Sequence, residues 1–146
     1  GRGAGRYRYC DATAKHFGDF CRLAFAWNFH HGQVVAVAEE LPAVTTPGKA
    51  PPEWWRLVAQ GMGYGLNLYA VTQRPAESDK TCIGNASEFV CFHLSRALDR
   101  QALAAEMDLD RAILDKLKPL HYVHRVPGVA LKIGRVQIPK SPRLAS

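Results

Sequence analysis

Several features that would assign this chain to a class at once are missing from it. No apolar run approaches the roughly 20 residues that a membrane span needs, and no apolar stretch follows the Gly-Arg-rich start as in a signal peptide. The chain has 4 cysteines but no Cys-x-x-Cys pair, which argues against zinc-ribbon and thiol-redox motifs. We therefore expect no membrane span, a cytoplasmic location and reduced core cysteines. These cysteines are Cys10, Cys21, Cys82 and Cys91.

Acidic residues are absent from residue 119 to the end of the chain, and this bias adds to a formal net charge of +6. A basic tail is typical of a solvated surface, and contact with phosphate groups is the alternative. The candidate phosphate contacts are Arg125, Lys132, Arg135, Lys140 and Arg143. The histidine pairs at 30–31 and 121–124 have no recognised metal-ligand spacing, so we expect loop or core histidines there.

A short apolar run at residues 34–38 is the stretch around which the rest of the chain is organised. Its small and β-branched side chains are typical of a strand buried on both faces of a parallel sheet. Helical periodicity flanks this run at 14–29, where Thr13 can act as the N-cap, and at 52–61. The alternation predicts an α/β fold with a mostly parallel sheet and flanking helices.

The other predicted elements follow from local patterns of the same kind. Further strands are predicted at 6–10, 66–71 and 89–94, further helices at 98–107 and, capped by Asp108, up to residue 117, and β-prone runs at 121–126 and 129–138. We expect one α/β domain, of which residues 1–118 are the main part and residues 119–146 a basic, β-prone extension.

Polar side chains follow two of the predicted strands at the same edge of the sheet. Glu39 and Glu40 come directly after one strand, and Thr72, Gln73 and Arg74 follow the next. Ligands of open α/β proteins bind at this carboxyl edge. One carboxylate there can hold a metal ion while the other polarises a water that a neighbouring amide positions. The plainer alternative is a strand that ends in solvated acids.

Three stretches carry a resemblance to a known family: Val-Val-Ala-Val-Ala-Glu-Glu-Leu, Thr-Thr-Pro-Gly-Lys-Ala-Pro-Pro and Tyr-Gly-Leu-Asn-Leu-Tyr-Ala-Val-Thr-Gln-Arg-Pro. From residue 6 to about residue 117 the chain resembles the FtsK/HerA class of P-loop ATPases. It is most similar to the DNA-packaging ATPases of tailless, membrane-containing bacteriophages and prophages. The Thr-Gln-Arg-Pro element is the most specific part of this likeness.

The resemblance implies roles for individual residues. Glu39 takes the Walker B metal position, Glu40 the catalytic carboxylate that activates water, and Gln73 the sensor of the terminal phosphate. The candidate arginine fingers are Arg74, Arg96 and Arg100. It further implies ATP and Mg²⁺ as ligands of the intact protein, double-stranded DNA and phage structural proteins as partners, a homo-oligomeric ring, and the cytoplasm of a bacterial host.

The chain departs from the pattern of that family in two ways. Glu39 stands where the superfamily has Asp, and Glu reaches one methylene further. No Gly-x-x-x-x-Gly-Lys-Ser/Thr motif occurs, and the Gly-rich start at residues 1–6 has neither the spacing nor the following helix of a P-loop. A chain without this motif has no amide cradle, lysine or hydroxyl for phosphates and magnesium.

Two hypotheses follow from these observations. In the first, the chain is the C-terminal portion of a DNA-packaging ATPase and lacks only its N-terminal part, which the missing initial methionine also suggests. In the second, it is a degenerate ATPase-fold module that binds DNA or assembles with partners without hydrolysis and without a cofactor. By either hypothesis we expect no ATP turnover from this chain alone. An unrelated small-molecule enzyme on the same fold is a third interpretation.

Overall fold

The computed structural model describes residues 13–137 as helices that alternate with short strands. The contacts divide the chain into two units, residues 1–85 and 86–146, and each unit has its own sheet and core. The first contains α1 (Ala14–His31), β1 (Val35–Ala38), α2 (Pro52–Gln60), β2 (Asn67–Ala70) and α3 (Lys80–Gly84). The second contains β3 (Phe89–Phe92), α4 (Ala97–Glu106), α5 (Arg111–Asp115), β4 (His121–Arg125) and β5 (Lys132–Arg135). The predicted strand at 6–10 and Cys10 lie outside the described residues.

Helix α1 begins and ends where its sequence signals predict. The hydroxyl of Thr13 accepts a hydrogen bond from the backbone N–H of His16, which satisfies one of the free donors of the first turn. The helix ends at Gly32, whose φ of 68° is accessible to glycine without strain. The N–H of Gly32 donates to the carbonyl of Asn28 and closes the last turn.

Strands β1 and β2 pair in parallel and are connected through α2. The register places Val35 opposite Asn67 and Ala38 opposite Ala70. This arrangement confirms the predicted α/β class and its parallel sheet. The expectation that β1 is buried on both faces is wrong: Ala36 and Ala38 are buried, whereas Val35 is 60% exposed. The alternation arises because α1 and α2 pack on one face only within this unit.

The core of the first unit lies between these two helices and the inner face of the β1–β2 sheet. The rings of Phe17 and Trp54 contact each other across the helix interface, with centroids 5.2 Å apart. Asn28 is buried at the end of α1, where its amide donates to the carbonyl of Tyr64 and its oxygen accepts from the N–H of Val34. This side chain therefore ties the helix to the start of β1. The largest fully buried side chains of the unit are Trp54, Leu41, Leu57 and Leu66.

The second unit contains an antiparallel sheet in the order β3-β4-β5, which the alternation of elements did not indicate. Its core forms where α4 and α5 pack on one face of the sheet and bury Cys91, Ala104, Met107, Leu114, Leu117 and Val123. Strands β4 and β5 lie in the predicted extension 119–146, and they share this sheet with β3.

Asp110, and not Asp108, is the N-cap of α5. The Asp110 carboxylate accepts a hydrogen bond from the N–H of Ala112, and its φ of −62° and ψ of 122° are those of a cap residue. Asp108 has a φ of +51° and lies in the left-handed turn that follows α4. The prediction was wrong because both aspartates are chemically able to cap, and only the path of the connecting turn distinguishes them.

Within residues 13–137, no helix is long and apolar enough to cross a membrane. The same residues hold no cluster of three or more histidine, cysteine or acidic side chains that could bind a metal. Cys21, Cys82 and Cys91 are free and buried, as predicted for core residues. Burial raises the pKa of Cys21 and of Cys82 to about 12 and that of Cys91 to about 11, so these thiols are neutral at physiological pH.

We predict that Gly134→Ala destabilises the second unit by about 1–3 kcal/mol, the usual cost of overpacking. A Cβ on Gly134 would overlap the ring of Tyr122, which lies across from it on β4. Chemical denaturation measures the change, and Gly84→Ala is the control because nothing lies within 4 Å of a Cβ there. In a Tyr122→Ala background, Gly134→Ala should cost much less stability, because the ring that it would overlap is gone. An equal cost of Gly134→Ala with and without the Tyr122 ring would contradict the overlap as its cause.

Candidate functional site

The ends of β1 and β2 bring together the polar residues that the sequence placed after the two strands. Glu40 lies two residues beyond β1, and Gln73 lies three residues beyond β2. The side-chain amide of Gln73 donates a hydrogen bond to Oε1 of Glu40 over 3.1 Å, although the residues are 33 positions apart. Because both side chains are exposed, this edge can receive a ligand from solvent.

Glu40 has a left-handed backbone, with a φ of 53° and a ψ of 47°. Such a conformation costs a non-glycine residue on the order of 1–2 kcal/mol, and it is often found where function requires a fixed side-chain direction. The short 3-10 turn Leu41–Ala43 follows at once, and Leu41 is fully buried. The turn therefore fixes the direction of Glu40 even though its carboxylate is exposed.

Glu39 is exposed beside Glu40, and no hydrogen-bond or ion-pair partner of its carboxylate occurs within residues 13–137. Two carboxylates with an amide are oxygen donors of the kind that Mg²⁺ prefers. This donor set fits the metal and water side of a nucleotide site. It does not include the loop of backbone amides that a polyphosphate requires.

The loop that carries Gln73 is held by hydroxyl groups on either side of it. The hydroxyl oxygen of Thr72 accepts a hydrogen bond from the N–H of Arg74 over 3.0 Å. The fully buried hydroxyl of Ser78 lies 2.9 Å from the Thr72 hydroxyl and 2.9 Å from the carbonyl of Arg74. These contacts close a tight turn around Gln73 and restrict its position.

A buried carboxylate connects this loop to the loop that follows Glu40. Asp79 accepts hydrogen bonds from the indole N–H of Trp54 over 3.1 Å and from the N–H of Cys82, where it caps α3. Its own N–H donates to the hydroxyl of Thr45, and that hydroxyl donates to the carbonyl of Leu41. One polar network thus supports both loops at the site.

Sequence reasoning missed Thr45, Ser78 and Asp79 as supporting residues. The Ser-Asp pair before a short helix is a usual N-cap signal, so a cap at Asp79 could have been predicted. Its bond to Trp54 could not, because the two residues are 25 positions apart. A buried indole N–H does, however, require a partner.

The structure places the three arginine-finger candidates in different surroundings. Arg74 is exposed beside Gln73 and pairs with Glu77 over 3.4 Å. Arg96, in the second unit, pairs with Asp99 over 3.7 Å.

Arg100 has the contacts of a structural residue. Its guanidinium lies 2.6 Å from Asp115 and donates to the carbonyls of Leu94 and Ser95. Its hydrogen bond is the largest cause that lowers the pKa of the Asp115 carboxyl, and Arg111 lowers that pKa further. These contacts hold Arg100 within the second unit.

The basic residues of the tail also divide into two kinds. Arg125 donates to the carbonyls of Met107 and Val129 and is used within the second unit. Lys132 and Arg135 are exposed on β5 and have no ion-pair partner among the described residues. Lys140 and Arg143 lie outside the part of the chain that the structure describes.

No protein-family model matches the chain. Among curated proteins it is similar to Protein P9 of Pseudoalteromonas phage PM2, with 34% identity over 108 residues. The match covers 74% of this chain and 50% of Protein P9. The chain therefore spans about half the length of this relative.

Among solved structures, the chain is similar to the genome packaging NTPase B204 of Sulfolobus turreted icosahedral virus 2 in complex with ATP-gammaS. The TM-score is 0.76 at 15% identity, over 90% of this chain and 66% of that one. The DNA-packaging ATPase B204 of Sulfolobus turreted icosahedral virus gives a TM-score of 0.74 at 15% identity, over 88% and 63% of the two chains. The chain thus has the α/β fold of these viral packaging NTPases, as its sequence resemblance implied.

We predict that Trp54→Phe destabilises the first unit by about 1.5–3 kcal/mol. The substitution removes the indole N–H that donates to the buried carboxylate of Asp79. Thermal unfolding of Trp54→Phe, Asp79→Asn and the double variant measures how strongly the two side chains are coupled. Trp55→Phe is the matched control, since Trp55 is 53% exposed. A double variant whose cost equals the sum of the single costs would show that the hydrogen bond contributes nothing.

Proposed function

We propose that the chain is the C-terminal portion of an ATP-driven genome-packaging ATPase of the FtsK/HerA class. The observation that carries this proposal is the hydrogen bond between Gln73 and Glu40, which joins an amide and a carboxylate at the ends of neighbouring parallel strands. In nucleotide hydrolases a carboxylate or an amide side chain orients the attacking nucleophile. The similarity to Protein P9 and the fold of B204 support the same assignment.

In this proposal the side chains at the edge have different tasks. Glu40 accepts a proton from the attacking water, and its fixed backbone aims the carboxylate. Gln73 orients that water and donates a hydrogen bond to the terminal phosphate of ATP. Glu39 would hold Mg²⁺ directly or through water, and the ion would offset the negative charge on the phosphates. Arg74 or Arg96 would reach the site of a neighbouring subunit.

The phosphate cradle has to come from outside residues 1–146, because the chain contains no P-loop motif. Protein P9 is about twice as long as the part this chain matches, and the proposal places the P-loop in a segment before Gly1. The long side chain of Glu39 would then reach the metal from a position that Asp occupies elsewhere in the superfamily.

Double-stranded DNA is the proposed polymer, and Lys132 and Arg135 are the described residues proposed to contact its phosphates. A homo-oligomeric ring would line its central channel with such cations. Phage structural proteins are proposed as further partners, and the bacterial cytoplasm as the place of action.

The second candidate is a module of the same fold that binds DNA or assembles with partners without hydrolysis. The missing P-loop favours it for the chain taken by itself. The two candidates differ in the coding sequence before Gly1, where an open frame with a strand and a P-loop supports the first and a stop codon excludes it.

We predict that Glu40→Gln lowers the ATPase rate of the protein, expressed with its upstream frame, by about 10²–10⁴-fold, the range for loss of a general base. The isolated chain should show no turnover. A coupled assay of phosphate release measures the rate, and Glu106→Gln is the control because Glu106 is an exposed carboxylate at the end of α4, outside the proposed site. Equal rates for Glu40→Gln and Glu106→Gln would overturn the role of Glu40.

We also predict salt-sensitive, sequence-independent binding of duplex DNA that depends on β5. The double variant Lys132→Glu, Arg135→Glu should reduce the slope of log affinity against log salt by about two, since each phosphate contact contributes roughly one. Fluorescence anisotropy with two unrelated duplexes measures it. The control is the double variant Lys15→Glu, Lys49→Glu, which changes the net charge by the same amount at exposed positions outside β5. If both doubles weaken binding to the same extent, β5 is not the contact surface.

A further inference from the structure

An aromatic groove lies between α1 and α2, within the first unit. It has a volume of about 610 Å³ and is open to solvent. Its lining includes three aromatic rings, those of Phe25, Phe29 and Tyr64. None of the residues at the proposed nucleotide edge lines this groove.

The rings of the groove form one connected group. Tyr64 meets Phe25 edge to face with centroids 5.5 Å apart, and it meets Phe29 in the same way at 5.6 Å. Phe29 is 59% exposed and Tyr64 is 52% exposed. Clustered aromatic side chains that remain exposed are typical of surfaces that bind another protein.

The two arginines of the groove differ in whether they have a carboxylate partner. Arg22 is held by Asp19 and by Glu53, at 3.7 Å from the latter. The guanidinium of Arg56 stacks over the ring of Phe25 at 4.5 Å. No carboxylate within residues 13–137 lies within ion-pair distance of Arg56. The groove thus offers one open cation beside apolar rings.

We propose that this groove binds a peptide segment of a partner protein in which an acidic residue lies next to aromatic or aliphatic residues. The carboxylate would pair with Arg56, whose planar guanidinium suits bidentate contact. The apolar side chains would pack on Phe25, Phe29 and Tyr64. Arginine and tyrosine are, together with tryptophan, the residues enriched at the energetic hot spots of protein interfaces.

The charge of the groove favours a peptide over a nucleic acid. A phosphodiester chain carries a negative charge on every nucleotide and needs several open cations. Here Glu53 places a negative charge in the lining, and it already engages Arg22. A single carboxylate on an apolar segment matches one open arginine. This inference does not depend on the proposed ATPase function.

The experiment uses the chain as described and an array of ten-residue synthetic peptides. Each peptide carries Asp or Glu within two positions of Phe or Leu, and matched arrays carry Asn or Lys in place of the acid. Peptides that bind are then measured by fluorescence anisotropy against the parent chain, Arg56→Glu and Tyr64→Ala. The controls Lys49→Glu and Tyr69→Ala change the same residue classes at exposed positions outside the groove.

We expect only acidic peptides to bind the parent chain, and both groove variants to weaken binding at least tenfold. The controls should stay within twofold of the parent. Lys-containing peptides should bind Arg56→Glu better than they bind the parent chain. This exchange of charge separates a direct contact from a loss of folding, which circular dichroism of each variant also monitors.

Three results would overturn the proposal. One is the absence of any binder whose affinity depends on the carboxylate. Another is binding of oligothymidylate that Arg56→Glu abolishes while the peptides do not bind, which would make the groove a nucleic-acid site. The third is self-association in sedimentation velocity that Arg56→Glu removes, which would make the occupant a second copy of this chain.

Discussion

The parallel pairing of β1 with β2 is the constraint on which the candidate site depends. The ladder continues past the strands, where the N–H of Val71 donates to the carbonyl of Ala38 over 2.8 Å. This register leaves Glu40 and Gln73 at the same edge and within hydrogen-bond distance. A slip of one residue would turn the side chains of one strand to the opposite face.

The pairing alone would leave two long loops free to move, and the buried network around Asp79 restricts them. Asp79 connects through Thr45 and Leu41 to the loop that follows Glu40. Ser78 holds the turn around Gln73. A buried carboxylate is costly to desolvate unless it is well hydrogen-bonded. Asp79 meets this condition through Trp54 and Cys82. Its burial makes the geometry of the site depend on the folding of the whole first unit, because its partners come from α2, α3 and the loop between β1 and α2.

Local signals were sufficient for most elements and for the polar groups at the two strand ends, but not for the buried residues that support them. The N-cap of α1 was predictable because Thr13 comes directly before the periodic apolar residues of that helix. The two strand ends were predictable because polar residues directly follow the two apolar runs. The antiparallel sheet of the second unit, the one-sided burial of β1 and the contacts of Arg100 were not predictable in this way. Each of these features depends on which segment, distant in sequence, packs against the residues concerned. A pattern of apolar residues shows that a segment will pack but not which segment it will pack against.

The first unit has two exposed apolar surfaces, the outer face of the β1–β2 sheet and the aromatic groove, and they differ in whether charged side chains lie among the apolar ones. The outer face of the β1–β2 sheet presents Val35, Val37, Tyr69 and Val71 without a charged side chain among them. Parallel sheets usually carry helices on both faces, whereas the described helices α1 and α2 of this unit pack on the other face. The aromatic groove instead combines its rings with Arg56 and Glu53. A surface that mixes charge with aromatic groups remains compatible with water, which suits a partner that binds and leaves and not a permanent part of the core.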